Sequence, residues 1–179
     1  MTLIEEIMEA NERHESDYKG GHKPEKELAI VTCMDTRLVG MLEGALGLKR
    51  GDVKVIKTAG NTITGVFDQT IRSLLVCVYE LGVKEIAVIG HYSCGMIKTT
   101  AASLKDAMIK RGINIDAIKM IEKDLEQWAD GFKTPEENVK QAVKAIRENP
   151  LIANDVKVHG LMIEPHSGKL DWIINGYED

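Results

Sequence analysis

Four short apolar runs, separated by segments with helical periodicity, constrain the fold of this chain more than any other feature. They are rich in Val and Ile, and they comprise 27-ELAIVTC-33, 53-VKVIKTA-59, 85-EIAVIGH-91 and 156-VKVHGLMIE-164. The first three are almost continuously apolar, which is typical of strands covered on both faces, as in parallel sheets. A fifth run, 170-LDWIIN-175, follows the fourth so closely that it is predicted to pair with it as an antiparallel hairpin.

Helices are predicted between these runs. Apolar residues fall on one face of segment 66–81, and Gly82 stands where a helix is expected to end. A threonine cap, a proline at the first helical position and an early glutamate predict a helix over 135–147. The region 96–130 is predicted to form two helices that break at Gly112. Strands that alternate with helices predict an α/β fold whose central, mainly parallel sheet is flanked by helices.

The N-terminal segment is predicted to stand apart from this body. Thr2 and Glu5 form a capping box that begins an amphipathic helix, and the link 16-SDYKGGHKPEK-26 after it is expected to be flexible. The length of 179 residues fits a single domain, 1–179. We therefore predict that residues 1–26 form a helical arm, which packs on its own body or crosses to a partner subunit.

The charge and the apolar pattern argue against several classes of protein. A net charge of −5 disfavours a nucleic-acid or anionic-membrane partner, because both need a concentrated positive surface. No run of 18 apolar residues occurs, and the N-terminus lacks the apolar core of a signal peptide. A cytoplasmic protein is predicted. In that reducing compartment its three cysteines are free for packing, metal binding or chemistry.

Residues with distinctive chemistry follow the ends of the first three runs. Cys33 ends the first, 57-KTAGN-61 ends the second, and His91 ends the third, with Cys94 three residues later. Ligands of parallel sheets bind beyond the carboxyl ends of the strands, so we expect these residues to meet. Two thiolates and an imidazole suit Zn²⁺. Because Cys77 lies inside a predicted helix, three protein ligands remain with one position open, which is the pattern of catalytic zinc.

Asp35 and Arg37 follow Cys33 at alternate positions, which puts both side chains on one side of an extended segment. Two thiolates cancel the charge of Zn²⁺, so a water bound there needs help to ionise and to point at a substrate. Asp35 can accept a hydrogen bond from the resulting hydroxide, and Arg37 can hold Asp35 ionised and oriented. The same carboxylate could instead swing onto the zinc as a fourth ligand and close the site.

Taken together, these motifs resemble the β-class carbonic anhydrases. The order and spacing of C-x-D-x-R, A-G-N and H-x-x-C are most similar to the small archaeal-type branch of that family, over about residues 27–175. The resemblance implies a sheet of four parallel strands plus an antiparallel fifth. It implies one Zn²⁺ per subunit on Cys33, His91 and Cys94, with the Asp35–Arg37 pair beside it. It also implies homodimers or higher assemblies in which the N-terminal helix embraces the partner.

The activity implied by this resemblance is the reversible hydration of carbon dioxide to bicarbonate and a proton. A zinc-bound hydroxide would attack CO₂ held in a small apolar pocket near Met34, Ala59 and Gly60. The first alternative is hydrolysis of carbonyl sulfide or carbon disulfide on the same fold and metal site, with the shape of the access tunnel deciding between them. A zinc-bearing binding protein without activity is another alternative.

A cysteine loop that cradles an oxyanion, as in tyrosine phosphatases and sulfurtransferases, is a further alternative. It is disfavoured because an acidic residue lies between Cys33 and Arg37, and because the loop lacks inward-pointing glycines. The chain departs from the family pattern in two places. Thr36 replaces the usual Ser, and Tyr92-Ser93 stand where members often have Thr-Asp. The tyrosine at position 92 is large enough to narrow or reshape the mouth of the site.

Overall fold

The computed structural model describes residues 1–178, and a five-stranded sheet in the order β2-β1-β3-β4-β5 lies at its centre. Its strands are β1 (Leu28–Cys33), β2 (Val53–Thr58), β3 (Glu85–His91), β4 (Lys157–Ile163) and β5 (Leu170–Ile174). The first four are parallel, and β5 runs antiparallel to β4. The predicted sheet of four parallel strands and an antiparallel fifth is confirmed.

Six α-helices are found among the described residues. They are α1 (Leu3–Glu12), α2 (Met41–Ala45), α3 (Gln69–Tyr79), α4 (Ala101–Lys110), α5 (Ile115–Ala129) and α6 (Pro135–Arg147). Helix α6 has the predicted bounds, and a left-handed Gly112 separates α4 from α5 as expected. Helix α3 begins later than predicted, because Asp68 caps it by accepting a hydrogen bond from the Ile71 backbone N–H at 2.9 Å. Helix α2 was not predicted, since five residues are too few to show a period.

The three central strands, β1, β3 and β4, are buried on both faces, whereas the edge strands β2 and β5 contain no fully buried residue. Alternate residues of β1 and β3 belong to two separate apolar clusters, because successive side chains of a strand point to opposite sides. Ile71 and Leu74 of α3 and Val143 of α6 pack in the first cluster. Leu38 and Leu42 pack in the second. The continuous apolar character of the strands follows from this double cover.

The strand register brings the ends of three strands to one edge of the sheet. Cys33 pairs with Thr58 of β2, and Thr32 pairs with Ile89 of β3. The segments that follow β1, β2 and β3 therefore emerge side by side.

Helix α1 does not belong to this buried body, since none of its residues is buried. Within residues 1–178, no helix combines the length and the apolar character needed to cross a membrane.

Candidate metal centre

Cys33, His91 and Cys94 come together at this edge of the sheet. All three are buried, and their ligand atoms lie within 4.8 Å of one another. The two sulfur atoms are 3.9 Å apart. In a tetrahedral site with zinc–sulfur bonds of about 2.3 Å, two sulfur ligands would be about 3.8 Å apart. The two cysteines thus already have the spacing that a zinc ion requires.

The orientation of His91 also fits a metal ligand. Its Nδ1–H donates to the backbone carbonyl of Tyr92 at 3.0 Å, which leaves the lone pair on Nε2. That Nε2 is buried and has no hydrogen-bond partner among the described residues. A buried polar atom without a partner is destabilising, unless a ligand or ion satisfies it. Because Nε2 faces two thiols, the chemistry of this donor set fits Zn²⁺.

The two thiols affect each other's ionisation. The hydrogen bond from Cys94 lowers the pKa of Cys33 to about 4, against the opposing effect of burial. The neighbouring imidazole of His91 and the backbone of Gly60 and Asp35 lower the pKa of Cys33 further. The pKa of Cys94 is raised, because its hydrogen bond to Cys33 and its burial both disfavour a second thiolate. The two thiols therefore do not ionise together, and binding of a metal must displace the proton that remains on the pair.

Arg37 holds the carboxylate of Asp35 by three hydrogen bonds. Its Nε and Nη2 donate to Oδ1 and Oδ2, both at 2.9 Å, and its backbone N–H donates to Oδ1 at 2.9 Å. The guanidinium holds the pKa of Asp35 well below its usual range, although partial burial acts against this. Asp35 Oδ2 lies 3.7 Å from the Nε2 of His91. An ionised acceptor is thus fixed beside the candidate metal ligands.

The guanidinium of Arg37 also reaches the turn between His91, which ends β3, and Cys94. Its Nη2 donates to the carbonyl oxygen of Ser93 at 3.0 Å. Ser93 has a φ of 54°, a left-handed conformation that residues other than glycine rarely adopt. Arg37 therefore links the carboxylate to a strained segment of the H-x-x-C turn.

A cavity of about 360 Å³ opens directly at this group of residues. All three residues predicted for the substrate pocket line it together with the site, and the lining includes Cys33, Met34, Asp35, Ala59, Gly60 and Cys94. The side chain of Met34 is largely exposed. A larger groove of about 870 Å³ shares Ala59 with this cavity but carries none of the three predicted ligands.

Tyr92 does not line this cavity, so the expectation that it narrows the mouth is wrong. Its side chain packs against the apolar cluster that contains α3 and α6. Its hydroxyl donates to Asp171 of β5 at 3.1 Å. Thr36, the other departure from the family pattern, does line the cavity. The backbone of Tyr92 contributes to the site through its carbonyl, while its side chain points elsewhere.

Sequence reasoning missed one buried residue behind the site. Asn138 of α6 donates from Nδ2 to the carbonyl oxygen of Gly60 at 2.6 Å. Gly60 lines the same cavity as Cys33, and its backbone helps to lower the pKa of that thiol. A signal was present, because an asparagine inside a helix competes with the backbone and usually needs a reason to be there.

Comparison with known proteins agrees with this geometry. Residues 28–170 match the sequence profile described as carbonic anhydrase. The chain belongs to the β-carbonic anhydrase family. The crystal structure of β-carbonic anhydrase isoform I from Trichomonas vaginalis is similar, with a TM-score of 0.95 and 46% identity, over 99% of this chain and 100% of that one. The Bacillus subtilis (strain 168) protein YtiB is 43% identical over 187 residues, which cover 100% of both chains.

Another relative has a different name. The carbon disulfide hydrolase of Acidianus sp. (strain A1-3) is 27% identical over 94% of this chain and 89% of that protein. The chain is therefore similar to proteins that are named for two different substrates.

Proposed function

We propose that this chain catalyses the reversible hydration of CO₂ to bicarbonate and a proton, with Zn²⁺ held by Cys33, His91 and Cys94. The observation that carries the proposal is the buried, unpartnered Nε2 of His91, a residue whose ligand atom lies within 4.8 Å of two thiol sulfurs. Asp35, held by Arg37, lies beside it. Membership of the carbonic anhydrase family supports the choice of reaction.

Each protein group has a definable part in this reaction. When bound, zinc lowers the pKa of a water molecule so that hydroxide is available near neutral pH. Asp35 accepts a hydrogen bond from the nucleophile and directs its lone pair toward the substrate. Because Arg37 keeps Asp35 ionised, that carboxylate can only accept. The three hydrogen bonds from Arg37 also engage both carboxylate oxygens of Asp35, which would disfavour this residue as a fourth ligand of a bound zinc ion.

The cavity suits a small apolar substrate. Met34, Ala59 and Gly60 supply a methionine side chain, a methyl group and backbone beside the thiols. Such walls can hold a linear molecule such as CO₂ by dispersion contacts, without competing for the nucleophile.

The proposal is tested by stopped-flow CO₂ hydration on protein of known zinc content, scanned across neutral and alkaline pH. Turnover should be proportional to zinc and should rise with pH through one ionisation. Cys77→Ser is a matched control, since Cys77 is also buried but lies in the opposite apolar cluster. Full zinc content with no CO₂ hydration at any pH would contradict the proposal.

Hydrolysis of carbonyl sulfide or carbon disulfide is the second candidate. It is supported by the similarity to the carbon disulfide hydrolase of Acidianus. Release of sulfide from either substrate, with negligible hydration of CO₂, would favour this candidate. The same preparation serves both assays, so the comparison does not depend on differences in zinc content.

We also propose that the chain is one domain that forms a homodimer or a higher assembly, with residues 1–26 packed on a partner subunit. Helix α1 exposes Leu3, Ile4 and Ile7 and buries no residue, so that its apolar stripe needs a cover. Light scattering of the full chain should give at least a dimer, and deletion of the arm should lower the mass. An unchanged mass after the deletion would exclude this role for the arm.

Two finer assignments complete the proposal. The spacing of the three motifs supports placement in the small archaeal-type branch of the family, which a phylogenetic tree of the family would test. A cytoplasmic location is supported by the three free cysteines. Fractionation of the source cells would test it.

A further inference from the structure

We propose that Tyr92 is a positioning residue of the metal centre: its side chain, tethered to Asp171, fixes the backbone carbonyl that orients His91. This inference rests on the proposed ligation of zinc by His91. Because Tyr92 does not line the substrate cavity, its effect is on a metal ligand and not on the substrate.

The backbone carbonyl of Tyr92 is the group that sets the orientation of the imidazole. It accepts the hydrogen bond from the Nδ1–H of His91 at 3.0 Å. This contact keeps the proton on Nδ1, so that the lone pair of Nε2 is free to bind a metal. If the carbonyl turned away, the imidazole would lose both its tautomer and its direction. The affinity of His91 for zinc therefore depends on where one backbone carbonyl points.

The turn that follows Tyr92 is strained and does not hold this carbonyl by itself. Ser93 has a φ of 54°, a left-handed conformation that is unfavourable for a residue other than glycine. Relaxation of Ser93 would rotate the peptide group that joins it to Tyr92, and this group carries the carbonyl. Arg37 holds the far side of Ser93, since its Nη2 donates to the Ser93 carbonyl at 3.0 Å. The near side of the turn needs an anchor of its own.

Tyr92 provides that anchor through three contacts with other parts of the fold. Its backbone N–H donates to the carbonyl of Ile163 in β4 at 3.1 Å. Its hydroxyl donates to Asp171 of β5 at 3.1 Å, and its ring packs against the apolar cluster that contains α3 and α6. Rotation of the Tyr92 carbonyl would disturb these contacts. A shorter side chain at this position would keep only the backbone contact.

The size of the expected effect follows from the hydrogen bond to Asp171. Zinc affinity falls in proportion to the fraction of metal-free molecules in which His91 is already oriented. Loss of one hydrogen bond that favours the oriented form lowers that fraction by about 3–10-fold. This is less than the loss of about 10–100-fold that removal of a direct partner of a metal ligand causes, because the carbonyl itself remains.

The chain offers a matched control at each end of the tether. Tyr92→Phe removes only the hydroxyl. Tyr79→Phe removes an equivalent hydroxyl, which donates to the carbonyl of Leu151 at 2.8 Å, at the end of α3 and outside the cavity and the candidate ligands. Asp171→Ala removes the acceptor. Lys169→Ala removes the ion pair that Lys169 forms with the other oxygen of Asp171 at 3.3 Å, and leaves the acceptor of Tyr92 in place.

The experiment compares wild type with these four variants and with the double variant Tyr92→Phe/Asp171→Ala. The zinc dissociation constant is measured by competition with a coloured chelator. Exchange of the His91 Nδ1 proton with water is measured by NMR on zinc-loaded, ¹⁵N-labelled protein. We expect Tyr92→Phe and Asp171→Ala each to weaken zinc binding by about 3–10-fold and to speed that exchange. The double variant should lose no more than the larger single loss, because both changes remove the same contact.

The controls separate a positioning role from a general loss of stability. Tyr79→Phe should lower the melting temperature of the metal-free protein, and it should leave zinc affinity and proton exchange at their wild-type values. Lys169→Ala should also keep the wild-type zinc affinity, since an exposed ion pair contributes little. An equal loss of zinc affinity in Tyr79→Phe and Tyr92→Phe would overturn the inference.

Three other results would also overturn it. They are wild-type zinc affinity in Tyr92→Phe, additive losses in the double variant, and failure of both Tyr92→Phe and Asp171→Ala to fold while Tyr79→Phe folds. A wild-type chain that binds no zinc would refute the ligand assignment, and the inference with it. A wild-type chain that binds zinc but does not hydrate CO₂ would refute only the proposed function, because the measured quantities here are zinc binding and proton exchange.

Discussion

Gly60→Ala tests how closely the turn behind the metal centre is packed. An L-residue at a φ of 72° loses about 1–2 kcal/mol relative to its preferred conformations. The added Cβ would lie 2.9 Å from Met96 Cγ and 2.9 Å from Phe132 Cε2. Carbon atoms prefer a separation of about 3.5–4.0 Å. Overpacking of this kind destabilises a protein by about 1–3 kcal/mol. We therefore expect Gly60→Ala to lower the free energy of unfolding by about 2–5 kcal/mol.

Gly47→Ala separates the backbone part from the packing part. Gly47 has a φ of 65°, and an added Cβ there would have no heavy atom within 4 Å. Only the conformational cost of about 1–2 kcal/mol should remain. Both variants are unfolded with urea as metal-free protein, so that changes in zinc affinity do not contribute. A loss for Gly60→Ala no greater than that for Gly47→Ala would refute the packing described here.

Three further variants test the site itself. Cys33→Ser should lose zinc and CO₂ hydration while Cys77→Ser keeps both; metal analysis that finds full zinc in Cys33→Ser would contradict its role as a ligand. Asp35→Asn should keep zinc and lower turnover by about 10–100-fold. Because Arg37 lowers the folded-state pKa of Asp35, that carboxylate stabilises the fold fully above about pH 4, and the contribution is lost as the pH falls further. The melting-temperature gap between metal-free wild type and Asp35→Asn should therefore shrink below that pH, and a constant gap would count against the ion pair. Arg37→Ala should weaken zinc binding more than Asp35→Asn does, because it also removes the hydrogen bond to the carbonyl of Ser93. Equal zinc dissociation constants for the two variants would show that this hydrogen bond has no effect on zinc binding.

Local sequence determined the elements and the donor set. The apolar runs predicted the strands, because the central strands β1, β3 and β4 are buried on both faces and must be apolar almost throughout. Helix α6 was predicted to the residue, since its cap is a contact over three positions: Thr134 Oγ1 accepts from the Glu137 backbone N–H at 3.1 Å. Cys33, His91 and Cys94 were recognised because thiols and imidazoles at strand ends have few uses other than metal binding.

Only the tertiary structure decided how the site is supported. Asn138 and Gly60 are 78 positions apart in the chain, Arg37 and Ser93 are 56 apart, and Tyr92 turns its side chain away to Asp171, 79 positions on. Such pairs cannot be predicted from a hydrophobic period or a short motif. Each pair depends on the direction of a side chain, which is set when the helices pack against the sheet. The residue types at the metal centre can thus be recognised from short sequence motifs. Their orientation depends on hydrogen bonds between distant segments, which exist only once the sheet has brought those segments together.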